Sequence, residues 1–327
     1  MRWLLKAASS LLVIAVVVVA ATAYFGYREY EEPGPLRAEA TLIVQSGSGV
    51  AAIARQLEDA RVIEDARVFR AAARITDKAS KLRAGEYRFE AGISLEETLD
   101  LLVSGETVVR KITVPEGLTS FEVVALIEKA EGLSGEIAEL PAEGSLLPET
   151  LHFTYGDPRA GILERMRGDM QAALEELWAA RAENLPVSTP EEAVILASIV
   201  EKETAVADER PLVASVFVNR LNRGMPLQSD PTVVYALTEG KGPLGRALTR
   251  ADWKVDHPYN TYANSGLPPG PIANPGRESL SAALNPAESE YLYFVADGSG
   301  GHAFAKTLAE HNRNVAKWRR IRDAESE

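Results

Sequence analysis

The chain has 327 residues, no cysteine and a formal net charge of −12; 46% of it is apolar and 25% charged. This is ordinary globular composition, long enough for one to three domains with a sizeable core. The lack of cysteine excludes disulfides, thiol nucleophiles and cysteine metal sites. The acidic balance without a basic stripe argues against nucleic acid as a partner. His152, His257, His302 and His311 form no His-x-x-x-His pair, which argues against a catalytic metal.

Arg2 and Lys6 precede an uncharged run of 21 residues from Ala7 to Tyr27, close to the roughly 20 that cross a bilayer. Tyr24, Phe25 and Tyr27 fall where an interfacial aromatic belt would sit. Positive charge before the run, with Glu29, Glu31 and Glu32 after it, puts the N-terminus in the cytoplasm. Ala21-Thr22-Ala23 resembles a signal-peptidase site, so a cleaved leader is the rival reading. The length of the run, and aromatics beyond that cut, favour an uncleaved anchor. Either way, everything after residue 30 lies outside the cytoplasm.

A Pro/Gly-containing linker follows within 28–40. Residues 41–44 read as a strand, 45–49 as a turn, 50–57 and 68–75 as helices, and 85–89 as a strand. This β-α-α-β order resembles a LysM module, a small peptidoglycan-binding fold; any small α+β support domain would give the same pattern. Ser94-x-x-Glu97 and Thr119-x-x-Glu122 are capping boxes. They open helices over 95–103, which Gly105 ends, and 121–129, with a strand over 108–114 and Pro115-Glu116-Gly117 between. The segments beginning at 41 and 111 share a strand, Gly-turn, helix order that suggests a degenerate repeat of two copies. Residues 143–150 look irregular, and a long amphipathic helix is expected over 162–182.

Thr189, Pro190 and Glu192 then mark a helix start with a capping box. Eight apolar or small residues, Ala193 to Val200, predict a helix buried around its circumference. It runs into Glu201, Lys202, Glu203 and Thr204. Residues two apart on a helix point about 200° apart. Glu203 therefore lines up with Leu196, Ile199 and Val200 on the bulky face, and Glu201 with Val194, Ala197 and Ser198. A carboxyl on the bulky face would be desolvated and held protonated near neutral pH, as a general acid for glycosidic cleavage must be. The alternative is a solvated helix end with an ordinary Glu/Lys pair.

Gln228, Ser229 and Asp230 sit together before the next helix, with Asp230 as expected N-cap and Pro231 in the first turn. Residues 256–276 form a long Pro/Gly-rich loop containing Tyr259, Asn260, Thr261 and Tyr262. Their flat faces and hydrogen-bonding groups suit a sugar-binding groove, or a structured lid without a ligand. A strand over 290–296, a turn over 297–301, and a peripheral helix over 308–321 close the chain.

Long motifs in this order resemble the MltG/YceG-like endolytic murein transglycosylases: ASIVEKET (197–204), RPLVASVFVNRL (210–221), GMPLQSDPTVVYAL (224–237), YNTYANSGLPPGPIANPG (259–276) and YLYFVADGSGGHAFAKTLAEHN (291–312), with PEG at 115–117 and GEYRF at 85–89. The segment 143–151 departs from the family pattern. Ser145, Glu149 and Leu151 stand where the family has an aromatic, Asp and an aromatic. The resemblance implies an α+β protein: an anchor at 1–27, a linker at 28–40, a LysM-like support region at 41–133, and a mainly helical catalytic domain with short strands at 134–327. It implies cleavage of the β-1,4 bond after N-acetylmuramic acid in nascent glycan strands, leaving a 1,6-anhydro end and terminating elongation. Glu203, followed by Thr204, takes the family's acid/base position; Glu201 is the weaker alternative. Gln228, Ser229, Asp230, Tyr259, Asn260 and Tyr262 are the candidate groove contacts on chemistry and position. No cofactor or metal is implied. The partners would be peptidoglycan glycan strands, the cell membrane and peptidoglycan synthases, with the catalytic domain periplasmic and the anchor in the inner membrane. A non-catalytic glycan-binding scaffold is the alternative from another class. A hydrolase is a third reading, needing Asp230 or Glu201 as a second carboxylate.

Overall fold

The computed structural model describes residues 2–325 and is a mixture of helices and two-stranded sheets. It opens with α1 (Arg2–Glu31), 30 residues in one helix and hence about 45 Å long. Its stretch Ser10–Glu31 is long and apolar enough to cross a bilayer, and the most apolar part is entirely unburied. Val13, Val16, Val17 and Phe25 are all exposed.

The chain divides into two compact units, with the break at Arg110/Lys111 and residues His152–Asp157 grouped with the first. In the first unit, β1 (Ala40–Val44) pairs antiparallel with β2 (Gly85–Phe89), Leu42 opposite Tyr87. Between them run α2 (Val50–Asp59) and α3 (Ala66–Ile75), giving the β-α-α-β order expected from periodicity. The second of these helices starts at Ala66 rather than 68, because Asp65 caps it by accepting the Arg67 N–H at 2.6 Å. Ile53, Leu57, Phe69, Tyr87 and Phe89 meet in one core. α4 (Leu95–Ser104) joins them through Leu99 and Leu102. It has the expected reciprocal Ser94/Glu97 capping box and ends at Gly105, whose φ of 75° is left-handed.

β3 (Val109–Thr113) pairs with β4 (Thr150–Thr154), a strand that the sequence pattern did not reveal. In the second unit, α5 (Ser120–Glu128) begins at the expected Thr119/Glu122 capping box. α6 (Arg159–Ala179) begins and ends three residues earlier than periodicity placed it. α7 (Pro190–Glu203) is buried at every position from Ala193 to Val200. Thr189 caps it, but Glu192 departs from the box: its carboxylate accepts the N–H of Ser188, at 2.6 Å, rather than that of Thr189. α8 (Arg210–Asn222) and α10 (Arg277–Leu284) pack against α7, burying Leu196, Ile199, Val213, Phe217 and Leu280 together. α10 was not anticipated. α9 (Asp230–Thr238) lies between them in sequence. The expected strand at 290–296 is shorter, β5 (Tyr293–Ala296), and it forms a hairpin with β6 (His302–Ala305), with Ala296 opposite His302. α11 (Leu308–Glu325) covers that hairpin, stacking His311 on Tyr293 with ring centres 5.2 Å apart.

Candidate active site

The end of α7 carries three charged side chains, and each goes a different way. Thr204 turns the chain out of the helix into extended backbone at φ −143°, and α8 starts after a short 3-10 turn, Ala207–Glu209. Glu201 is almost wholly buried, with 5% of its side chain exposed. One oxygen lies 3.5 Å from Nη2 of Arg210; the other accepts the Gly276 N–H at 2.9 Å. The same Arg210 nitrogen donates to Glu116 at 3.0 Å. Lys202 donates from Nζ to the Gly117 carbonyl at 3.0 Å. Glu201 and Lys202 thus fasten the helix end to the Pro115–Gly117 turn and to the start of α10. The solvated Glu/Lys pair considered from sequence is not what forms.

Glu203 has no ion-pair partner among the described residues. Its Oε1 accepts a hydrogen bond from the Ser229 hydroxyl at 2.5 Å. Burial pushes its pKa up from 4.5 to about 7, and the negative charge of Asp230 adds to that. The Ser229 hydrogen bond, His302 and Arg220 pull the other way. Taken as a whole, the residue is of intermediate exposure. A desolvated carboxyl that stays protonated near neutral pH is what a general acid needs.

Ser229 is presented by a strained turn. Gln228 has φ 52°, left-handed for a residue with a Cβ. Its N–H donates to the Thr261 carbonyl at 3.1 Å, and the Ser229 N–H donates to Thr261 Oγ1 at 3.0 Å. Ser229, not Asp230, is the N-cap of α9, and its side chain caps nothing because the hydroxyl is committed to Glu203. Asp230 becomes the first helical residue. Its Oδ1 accepts from the Tyr262 hydroxyl at 2.7 Å and from the Trp253 indole N–H at 2.9 Å. The rings of Trp253 and Tyr262 stack at 21° with centres 5.6 Å apart.

The other expected groove residues separate. Asn260 is fully buried. Its amide donates to the Trp253 and Val255 carbonyls at 3.1 and 2.8 Å, and its oxygen accepts the Tyr262 N–H at 3.0 Å. With its polar ends consumed inside the loop, it shapes the loop rather than presenting itself to a ligand. Tyr259 packs on Tyr235, ring centres 4.8 Å apart, in a second cluster where the Tyr235 hydroxyl donates to Glu143 at 3.2 Å. Gln228 is exposed, and its side-chain oxygen lies 3.5 Å from Arg220. Leu151, where the sequence departs from an aromatic, is buried in β4.

Three residues of the site escaped sequence reasoning. Arg220 is buried and donates to the carbonyls of Leu227 at 2.8 Å and Leu292 at 2.7 Å, tying the 226–230 turn to the segment leading into β5. Its signal was an arginine just after the apolar run Val216–Val218 of its helix. His302 has its Nδ1 2.7 Å from Glu209 and its ring edge-on to Phe294. Trp253, in a polar stretch, gave no periodic signal at all.

The YceG-like family profile matches residues 42–317. A protein of Bacillus subtilis (strain 168), named an endolytic murein transglycosylase, is 34% identical over 308 residues, spanning 84% of this chain and 83% of that one. A protein of the same name from Streptococcus pneumoniae serotype 2 is 29% identical over 358 residues; the match spans 93% of this chain but only 64% of that relative's length. Among solved structures, a YceG-like protein from Listeria monocytogenes superposes with a TM-score of 0.54 at 31% identity, covering 84% of this chain and 98% of that one.

Proposed function

The chain belongs to the YceG-like family, and we propose that it is an endolytic murein transglycosylase that uses Glu203 as its single acid/base. The observation that carries this reading is a desolvated carboxyl with a pKa near 7, held by a serine hydroxyl and, among the described residues, in no ion pair. A structural carboxylate at that depth would normally be paired, as Glu201 is. The same contrast favours an enzyme over a passive glycan-binding scaffold.

The reaction needs no water. Protonated Glu203 gives its proton to the glycosidic oxygen as the bond from muramic C1 breaks. Its carboxylate then takes the proton of the muramic 6-hydroxyl while that oxygen attacks C1 and closes the 1,6-anhydro ring. Glu203 ends protonated, ready for another turnover. A hydrolase would instead require a second carboxyl about 5–5.5 Å away for retention or 6.5–9.5 Å away for inversion. Digests of nascent glycan strands in heavy-oxygen water are expected to give muramic ends one water lighter than reducing ends and free of label. Labelled reducing ends as the main product would make the protein a hydrolase, with Asp230 as the next residue to test.

The remainder of the reading follows the architecture. α1 is a single-pass, uncleaved inner-membrane anchor with a cytoplasmic N-terminus and the rest of the chain periplasmic. The β1-α2-α3-β2 segment is a LysM-like support for glycan. Cleavage inside nascent strands beside the membrane would terminate their elongation, next to the peptidoglycan synthases that make them. The mature protein is expected in the membrane fraction at full length; a mature N-terminus near Tyr24 would show a cleaved leader instead.

A further inference from the structure

Trp253 is an exposed aromatic beside the site: 36% of it is accessible. A free surface tryptophan would sample several rotamers, but this one is fixed twice. Its N–H is committed to Asp230 at 2.9 Å, and its ring is stacked on Tyr262. Tyr262 is fixed in turn by its own hydroxyl on the same Asp230 oxygen, at 2.7 Å. Asp230 directly follows Ser229, whose hydroxyl holds Glu203. An oriented aromatic face is therefore anchored one residue away from the group that touches the acid. Its hydrogen-bonding capacity is already used, so what it offers a ligand is an apolar surface.

Flat apolar surface beside a polar cleft is the surface that the C–H faces of a pyranose ring cover; aromatics carry a large share of binding energy because they bury much area at little entropic cost. We infer that Trp253, braced by Tyr262 and clasped by Asp230, is a stacking subsite for a sugar ring of the glycan strand next to the scissile bond. This rests on the transglycosylase reading above. It makes Trp253 a binding residue, with Asp230 positioning it rather than serving as a second catalytic carboxylate.

The test uses the full chain in detergent. Affinity for chitohexaose and for uncrosslinked glycan strands is measured by calorimetry in the Glu203→Gln background, so that nothing is cut. Adding Trp253→Ala is expected to weaken binding about tenfold, a typical loss for a key aromatic contact. Trp253→Phe keeps a ring but not the N–H, and is expected to retain most of the affinity. In the active enzyme the Trp253→Ala loss should appear as a raised KM, with the pH dependence of turnover unmoved, because Glu203 keeps its surroundings. Unchanged affinity in Trp253→Ala, while the wild type still cuts strands, overturns the subsite alone. Trp253→Phe binding as poorly as Trp253→Ala overturns stacking in favour of the Asp230 clasp. A wild-type chain that neither binds nor cuts glycan overturns the functional reading and the subsite together.

Discussion

Glu203→Gln is expected to fold as the wild type does and to lose roughly 10²–10⁴-fold in turnover, the range for losing general acid–base help. The upper end applies here, because one carboxyl serves both proton transfers. The acid must start protonated, and its pKa lies near 7. Turnover of the wild type should therefore be high on the acid side of neutrality and fall as pH rises through about 7. The same shift has a stability consequence of defined sign. Because the folded pKa is raised above 4.5, the stabilisation from a protonated Glu203 is complete below that value and lost as pH rises through 7. Glu203→Gln should then be the more stable protein at pH 8, by at most about 3 kcal/mol, with the difference vanishing near pH 4. Counting anhydro ends by mass spectrometry across that pH range, alongside thermal unfolding, checks both. Near-normal turnover in Glu203→Gln, with Glu201→Gln inactive but folded, would transfer the role to Glu201.

Arg210→Ala is expected to be the most destabilising single substitution at the site, by about 3–5 kcal/mol at neutral pH, the usual result of stripping the partner from a buried charge. Arg210 is the shared cation of Glu201 and Glu116, and its side chain is only 11% exposed. Without it, the buried Glu201 and the more exposed Glu116 lose the cation they share. Burial already pushes the pKa of Glu116 up, and Glu201 adds to it; Arg210 is what opposes this. The loss should shrink in mildly acidic buffer, where the orphaned carboxylates can take up protons. The combination Arg210→Met, Glu201→Gln, Glu116→Gln should recover much of it, since replacing a whole buried ionic cluster by neutral groups is often tolerated. Urea unfolding followed by tryptophan fluorescence would measure this, as Trp178, Trp253 and Trp318 all lie in the second unit. A loss below about 1 kcal/mol, the range of exposed pairs, would mean that the cluster is effectively solvated.

Much of this protein is written in local pattern. The 21-residue uncharged run could only be a long apolar helix. Ser94, Thr119 and Thr189 each marked a helix start that formed, because a cap satisfies N–H groups within one turn of itself. The unbroken apolar stretch of α7 required burial, and helical geometry alone sent Glu201 and Glu203 to different sides. Short elements with weak signals went unseen. α10 has eight residues and no side-chain cap, and β4 and β6 have five and four residues. What each glutamate does was decided only in three dimensions. Glu201 meets Arg210, which also holds Glu116 from 94 residues away, and accepts from Gly276 at a separation of 75; Glu203 meets Ser229 at a separation of 26. Asn260 turned inward for the same reason that Trp253 turned outward. Loop side chains are placed by the nearest unsatisfied donors and acceptors, and these come from carbonyls and carboxylates that periodicity and capping rules do not locate.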